Sequence, residues 1–154
     1  MIFIINSDDF NIDSSCISSQ ILGSKVKLKG FPTFYSEDGK YINPINLWIN
    51  HLVNVKRAKN INSNIRAIKR YWDFLEKNQL PWDLFPKDKS LKPTYRFRND
   101  NLLKAVKDGN LCASTASNYM LHIIKFYEWT GHEQLIKFKE SSMPFIYEHI
   151  KVNN

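Results

Sequence analysis

Two periodicities divide the chain. Residues 1–42 hold short apolar or alternating runs, MIFIIN and KVKLKGFPTFY, broken by Gly23, Gly30 and Pro32. Runs of that length bounded by turn residues predict strands or extended arms. The segment SEDGK predicts a tight turn that closes a hairpin, with Gly39 in the positive φ that Asp-Gly turns favour. From Asn43 the period becomes helical. NPINLWINHLVNVKRA offers Asn43 as a cap and Pro44 at the first helical position, followed by a stripe of Ile45, Trp48, Ile49, Leu52 and Val55. NSNIRAIKRYWDFLEKN predicts a second helix, from a cap near Asn62 to about Asn78, ending before Pro81. At 100° per residue, its Ile65, Ile68, Tyr71, Trp72 and Leu75 fall within about 120°. The proline-punctuated stretch LPWDLFPKDKSLKPTYRF reads as a connection pinned to the core by its apolar residues. A shorter helix is expected over RNDNLLKAVKDGN, capped by Asn99 or Asp100 and stopped at Gly109. A fourth, from a Ser114 cap, carries Ala116, Tyr119, Met120, Ile123, Phe126 and Tyr127 on a broad apolar arc that Gly131 terminates.

Four helices with short or pinned links predict a mainly α fold, a compact four-helix bundle preceded by a short β arm or hairpin. The expected divisions are an arm over 1–42, a helical domain over 43–131, and an exit strand or linker over 132–154. A length of 154 residues suits one such domain, and 43% hydrophobic residues suffice for a packed core. No stretch has the length and apolarity of a membrane span, and the opening MIFIIN is too short and lacks the basic flank of a secretory signal. A cytosolic protein is expected. Cys16 and Cys112 stand far apart, with no partner at metal-ligand spacing, so neither a metal site nor a disulfide framework is predicted.

Charge sharpens this picture because it is unevenly placed. Residues 43–131 contain fifteen Lys or Arg against seven Asp or Glu, while 1–42 have four against five and 132–154 three against three. The net +7 of the chain therefore belongs to its helical middle. A domain-sized basic excess is the electrostatic footprint of a polyanion partner, most often nucleic acid.

Motifs for catalysis are missing. The sequence has no glycine-rich phosphate loop, no HExxH, no G-x-S-x-G and no paired cysteines, and His51, His122, His132 and His149 are scattered. No catalytic residue, cofactor, metal or small-molecule substrate is expected. The basic faces are more informative. Opposite the apolar stripe of the second helix stand Asn62, Ser63, Arg66, Lys69, Arg70 and Lys77, with Asp73 the only acid near their centre and Asn64 beside Asn62 and Ser63 at the amino end. The fourth helix repeats the arrangement, with Ser114 and Thr115 at its start and Asn118, His122 and Lys125 along its edge. Two helices that begin with hydroxyl or amide side chains and continue into bases suit the backbone and groove of duplex DNA.

The order of these features, NPINLWINHL, then NSNIRAIKRYWDFLEKNQLPW, then STASNYMLHIIKFYEW, resembles the amino-terminal core-binding domain of tyrosine recombinases, the phage-integrase type of site-specific recombinase. The resemblance covers residues 43–131, and MPFIYEHIKV is similar to the stretch leading from such a domain to its catalytic half. It implies a SAM-like helical clamp whose second and fourth helices lie against the major groove. The implied contacts are Asn62, Ser63, Asn64, Arg66, Lys69 and Arg70 on the second helix. On the fourth they are Ser114, Thr115, Ser117, Asn118, His122 and Lys125. The implied partners are double-stranded DNA and further protomers of the full-length recombinase, in a bacterial or phage, nucleoid-associated setting, during integration or excision of a mobile element. The family's catalytic half supplies a tyrosine nucleophile with arginines, a lysine and histidines. Here no His is followed three residues later by Arg, there are only five arginines, and Asn154 leaves no room for that half. The chain is thus expected to bind DNA without cutting it. The competing expectation is a protein-interaction module in which Trp48, Trp82 and Trp129 contact a partner and the bases only confer solubility.

Overall fold

The structure, a computed structural model, describes residues 2–5, 30–136 and 143–145. The KVKLK run, Cys16 and the tail from residue 146 lie outside the described residues. Two short strands precede four helices, so the described chain is mainly α, with a small β element at its amino-terminal end. It divides into two compact units, Met1–Ile61 and Asn62–Asn154.

In the first unit β1 (Ile2–Ile5) pairs antiparallel with β2 (Pro32–Tyr35) in the register Ile2 to Tyr35 and Ile5 to Pro32. The SEDGK turn follows as expected, with Gly39 at φ +78 and Gly39 N–H donating to the Ser36 carbonyl at 2.9 Å. Helix α1 runs over Asn43–Asn50 and widens into a π turn over His51–Val55. The cap expected at Asn43 is not made, because Ile42 is the extended residue before the helix. Its N–H donates to the Phe34 carbonyl at 3.1 Å, which holds Ile42 in strand geometry and starts the helix just after it. Asn46, one turn on, ties α1 to β2: its side chain accepts from Phe34 N–H at 2.9 Å and donates to the carbonyls of Phe34 and Ile42 at 3.1 and 2.9 Å. These bonds satisfy backbone groups that burial would otherwise leave unpaired. They explain why α1 groups with the strands, so that the division falls after Ile61 and not after residue 42. Ile45, Trp48 and Ile49 are buried as the stripe predicted, whereas Val55 is exposed.

In the second unit α2 spans Asn62–Lys77, α3 covers residues 93–107 and α4 spans Ala113–His132. Ile68, Tyr71, Trp72 and Leu75 of α2 are buried and Ile65 is half-buried. Ala67 and Phe74 join them, so the buried face is wider than the sequence stripe. The connection after α2 is pinned as expected: Phe85 is buried against Tyr127, and the Trp82 ring lies 5.9 Å from those of Trp72 and Phe126. Aromatic edges of this kind add to the area they bury.

Helix α3 corrects the expected start at Asn99 or Asp100. It begins at Pro93, runs as an α turn to Arg96, widens into a π segment over Phe97–Leu103 and closes as an α turn over Lys104–Lys107. Pro93 suits a first turn, where its missing N–H costs nothing, and the buried Tyr95 and Phe97 give the earlier residues a packed face. Gly109, at φ +76, ends it as expected, with Asn110 N–H donating to the Ala105 carbonyl at 2.8 Å. Lys92, just before α3, is buried, and its ammonium donates to the Met143 carbonyl; Thr94 donates to the carbonyl of Pro144. Residues 143–145 are thereby docked on the start of α3.

Helix α4 differs at both ends. Cys112 precedes it and makes no side-chain cap bond, which places Ser114 inside the first turn. Gly131 does not stop it. The left-handed residue is Gln134, at φ +57, and Leu135 N–H reaches back to the Thr130 carbonyl at 2.9 Å.

Candidate functional site

Contacts between α2 and α4 advance together along both helices. Asn64 meets His122, Tyr71 meets Tyr127 and Trp72 meets Phe126. The two helices therefore run in the same direction, with the start of α2 beside the middle of α4. The start of α2 carries a partial positive charge.

At that end Ser63 and Arg66 of α2 face Ser114, Thr115, Ser117 and Asn118 of α4 across one open groove, with Tyr119 and Leu121 completing the wall. Six of the twelve side chains expected to act together thus share a surface. Arg66 is exposed and makes no ion pair among the described residues. Lys69 and Arg70 line an adjoining hollow, which Arg66 and Tyr119 share with the groove. Lys69 is held by Asp73 at 2.8 Å, an i,i+4 pair at the surface. Arg70 is held differently: its Nε donates to Asn101 Oδ1 on α3 at 2.7 Å.

Asn64 and His122 bind each other. The Asn64 amide nitrogen stands 3.1 Å from His122 Nδ1, and because an amide NH2 only donates, Nδ1 accepts and the ring carries its proton on Nε2. That Nε2 is buried without a hydrogen-bond partner among the described residues. Burial, helped by the nearby Lys125 charge, holds the imidazole below its usual range, so it is neutral near pH 7. Asn62 and Lys125 are exposed and line neither hollow.

The sequence reading missed Tyr119 and Asn101. The helical period puts Tyr119 on the core stripe, but it is half-buried and forms wall in both hollows. Asn101 lies mid-helix, where expecting α3 to begin beside it concealed its direction. Of the tryptophans named for a protein-interaction surface, Trp48 is 2% exposed, and Trp82 and Trp129 are half-buried. No helix among the described residues is long and apolar enough to cross a membrane.

Fold and site together define a mainly α protein with a basic, hydroxyl- and amide-lined groove between two helices that run in parallel. No protein-family model matches the chain, and no curated protein or solved structure matches it.

Proposed function

We propose that this chain binds duplex DNA through the α2–α4 groove, as the non-catalytic DNA-binding portion of a tyrosine-type site-specific recombinase. The observation that carries the reading is the meeting of Ser63, Arg66, Ser114, Thr115, Ser117 and Asn118 on one open surface from two separate helices. Hydroxyl and amide groups from two helices suit phosphate and base-edge contacts, and Arg66 brings a charge that no ion pair among the described residues neutralises. The excess of basic residues over 43–131 supplies the long-range attraction. The recombinase assignment rests on the sequence resemblance of α1, α2 and α4. Cytosolic, nucleoid-associated localisation and assembly with further protomers on DNA belong to the same proposal.

The test is titration of a fluorescent duplex with the whole chain at two salt concentrations, beside the Arg66→Glu, Ser114→Glu double variant. Both positions are exposed, and an acid in the first turn of α4 favours the helix, so folding is retained. Parent affinity should fall steeply with salt, with a log-log slope near −0.9 per phosphate contacted, and the variant should bind at least tenfold more weakly at an unchanged melting temperature. Salt-insensitive binding, or a variant that binds like the parent, would refute the reading.

A further inference from the structure

The geometry points to a second anion site, a seat for one phosphate group in the hollow between α2 and α3, beside the groove already described. Arg66, Arg70 and Lys77 of α2 form one wall, Asn101 of α3 and Tyr119 of α4 the others, over a floor that includes the buried Phe74. The balance of charge in this hollow makes it a site. Its two acids are already engaged, Asp73 with Lys69 at 2.8 Å and Asp100 with Arg96 at 3.6 Å. Arg66 and Lys77 make no ion pair among the described residues, and the partner fixing Arg70 is a neutral amide. An amide that takes Nε orients the guanidinium without cancelling its charge, which leaves the two terminal nitrogens for an anion. A concave surface with three cations that no ion pair among the described residues compensates, one of them positioned, matches a tetrahedral oxyanion, because the guanidinium fork can bind two of its oxygens at once.

The shared chemistry is a phosphate group, and its two possible sources are a nucleic-acid backbone and a free phosphate. The inference rests on the DNA reading only for the first. If a backbone phosphate sits here, α3 takes part in binding through Asn101, a positioning residue that the groove alone does not include.

Two measurements on the full chain separate the sources, each made on the parent, on the Arg70→Gln, Lys77→Gln double variant and on Asn101→Asp. The last substitution preserves shape but puts a carboxylate against Arg70. The first measurement is duplex affinity from 50 to 200 mM salt. Losing the one seated phosphate should make the log-log slope shallower by about 0.9, so that the fourfold rise in salt costs the double variant roughly three- to fourfold less affinity than it costs the parent, equally on unrelated sequences. Asn101→Asp should bind more weakly with a shallower slope, which a purely structural defect would not produce. The second is the melting temperature with inorganic pyrophosphate against chloride at equal ionic strength. Pyrophosphate should stabilise the parent and neither variant. A parent that binds no duplex yet is stabilised by pyrophosphate would keep the seat and overturn the DNA reading alone. Duplex binding with equal slopes in all three proteins, and no differential pyrophosphate effect, would overturn the seat and leave the groove intact. Absence of both responses in the parent would overturn both.

Discussion

Removing the Tyr127 hydroxyl should cost much more than removing the Tyr71 hydroxyl, although the two face each other. Both side chains are fully buried, their hydroxyl oxygens lie 2.6 Å apart, and Tyr127 Oη is also 2.6 Å from the Trp82 carbonyl. A carbonyl only accepts, so Tyr127 gives its one proton to Trp82 and must accept from Tyr71. Tyr71→Phe therefore removes one bond and leaves no donor stranded, a loss of about 1 kcal/mol. Tyr127→Phe strands the Tyr71 donor and the Trp82 acceptor together, at about 1 to 3 kcal/mol for each buried group, or roughly 2 to 4 kcal/mol allowing for the part-exposed carbonyl. In the Tyr127→Phe background, Tyr71→Phe removes one of those stranded groups. The same substitution that destabilises the parent should thus stabilise that variant by about 1 kcal/mol. Urea denaturation of the four proteins, followed by circular dichroism, measures this. Equal and additive losses would refute the assigned direction of the hydrogen bonds. The pair also has an alkaline signature. Burial raises both phenols above the usual 10.0, with the Tyr127 bond only partly offsetting this for Tyr71, so the folded chain keeps protons that the unfolded chain releases. Their contribution to stability is whole below pH 10.0 and declines as pH rises above it, a decline that Tyr71→Phe should make shallower.

Phe126, fully buried with its ring 5.3 to 6.4 Å from those of Tyr127, Trp82 and Trp72, should lose about 3 to 5 kcal/mol on replacement by Ala, seen as a lower urea midpoint. Gln134→Gly should instead stabilise the chain by up to about 1 kcal/mol, since glycine adopts the φ of +57 at the end of α4 without the Cβ clash; an unchanged melting temperature would count against that cap. His122 should titrate below 6.5 in an NMR pH series, and Lys125→Gln should move its midpoint upward. Because its folded pKa is depressed, its share of stability is present above 6.5 and is lost as pH falls through the lower folded value, where protonation of Nδ1 also breaks the bond from Asn64.

Much of the candidate site was legible because it lies along single helices. A period of 3.6 residues placed Arg66, Lys69 and Arg70 opposite Ile68, Tyr71 and Trp72, and burial follows that division. Trp82 and Phe85 marked the connection as pinned because apolar rings in a proline-rich stretch have nowhere favourable to go except the core. The helix ends were harder to read. A stop by the left-handed residues Gln79 and Gln134 depends on backbone bonds to the Leu75 and Thr130 carbonyls, and their side chains carry no signal for it. Phe74 shows a further limit. It falls roughly opposite Ile65 at 100° per residue, among the bases, and is buried because the Phe97 ring of α3 lies 5.6 Å away.

By itself, then, the sequence determined that four helices form, most of the apolar side of each, and that the positive charge lies in residues 43–131. Those properties follow from patterns within a few turns of chain. Tertiary structure alone decided that α2 and α4 run in the same direction, that Ser63 and Arg66 share a groove with Ser117 and Asn118, and that Asn101 holds Arg70. Each of these joins residues thirty or more positions apart, and a helical period describes a side chain only relative to its own axis. Which neighbour covers it is settled when the helices pack.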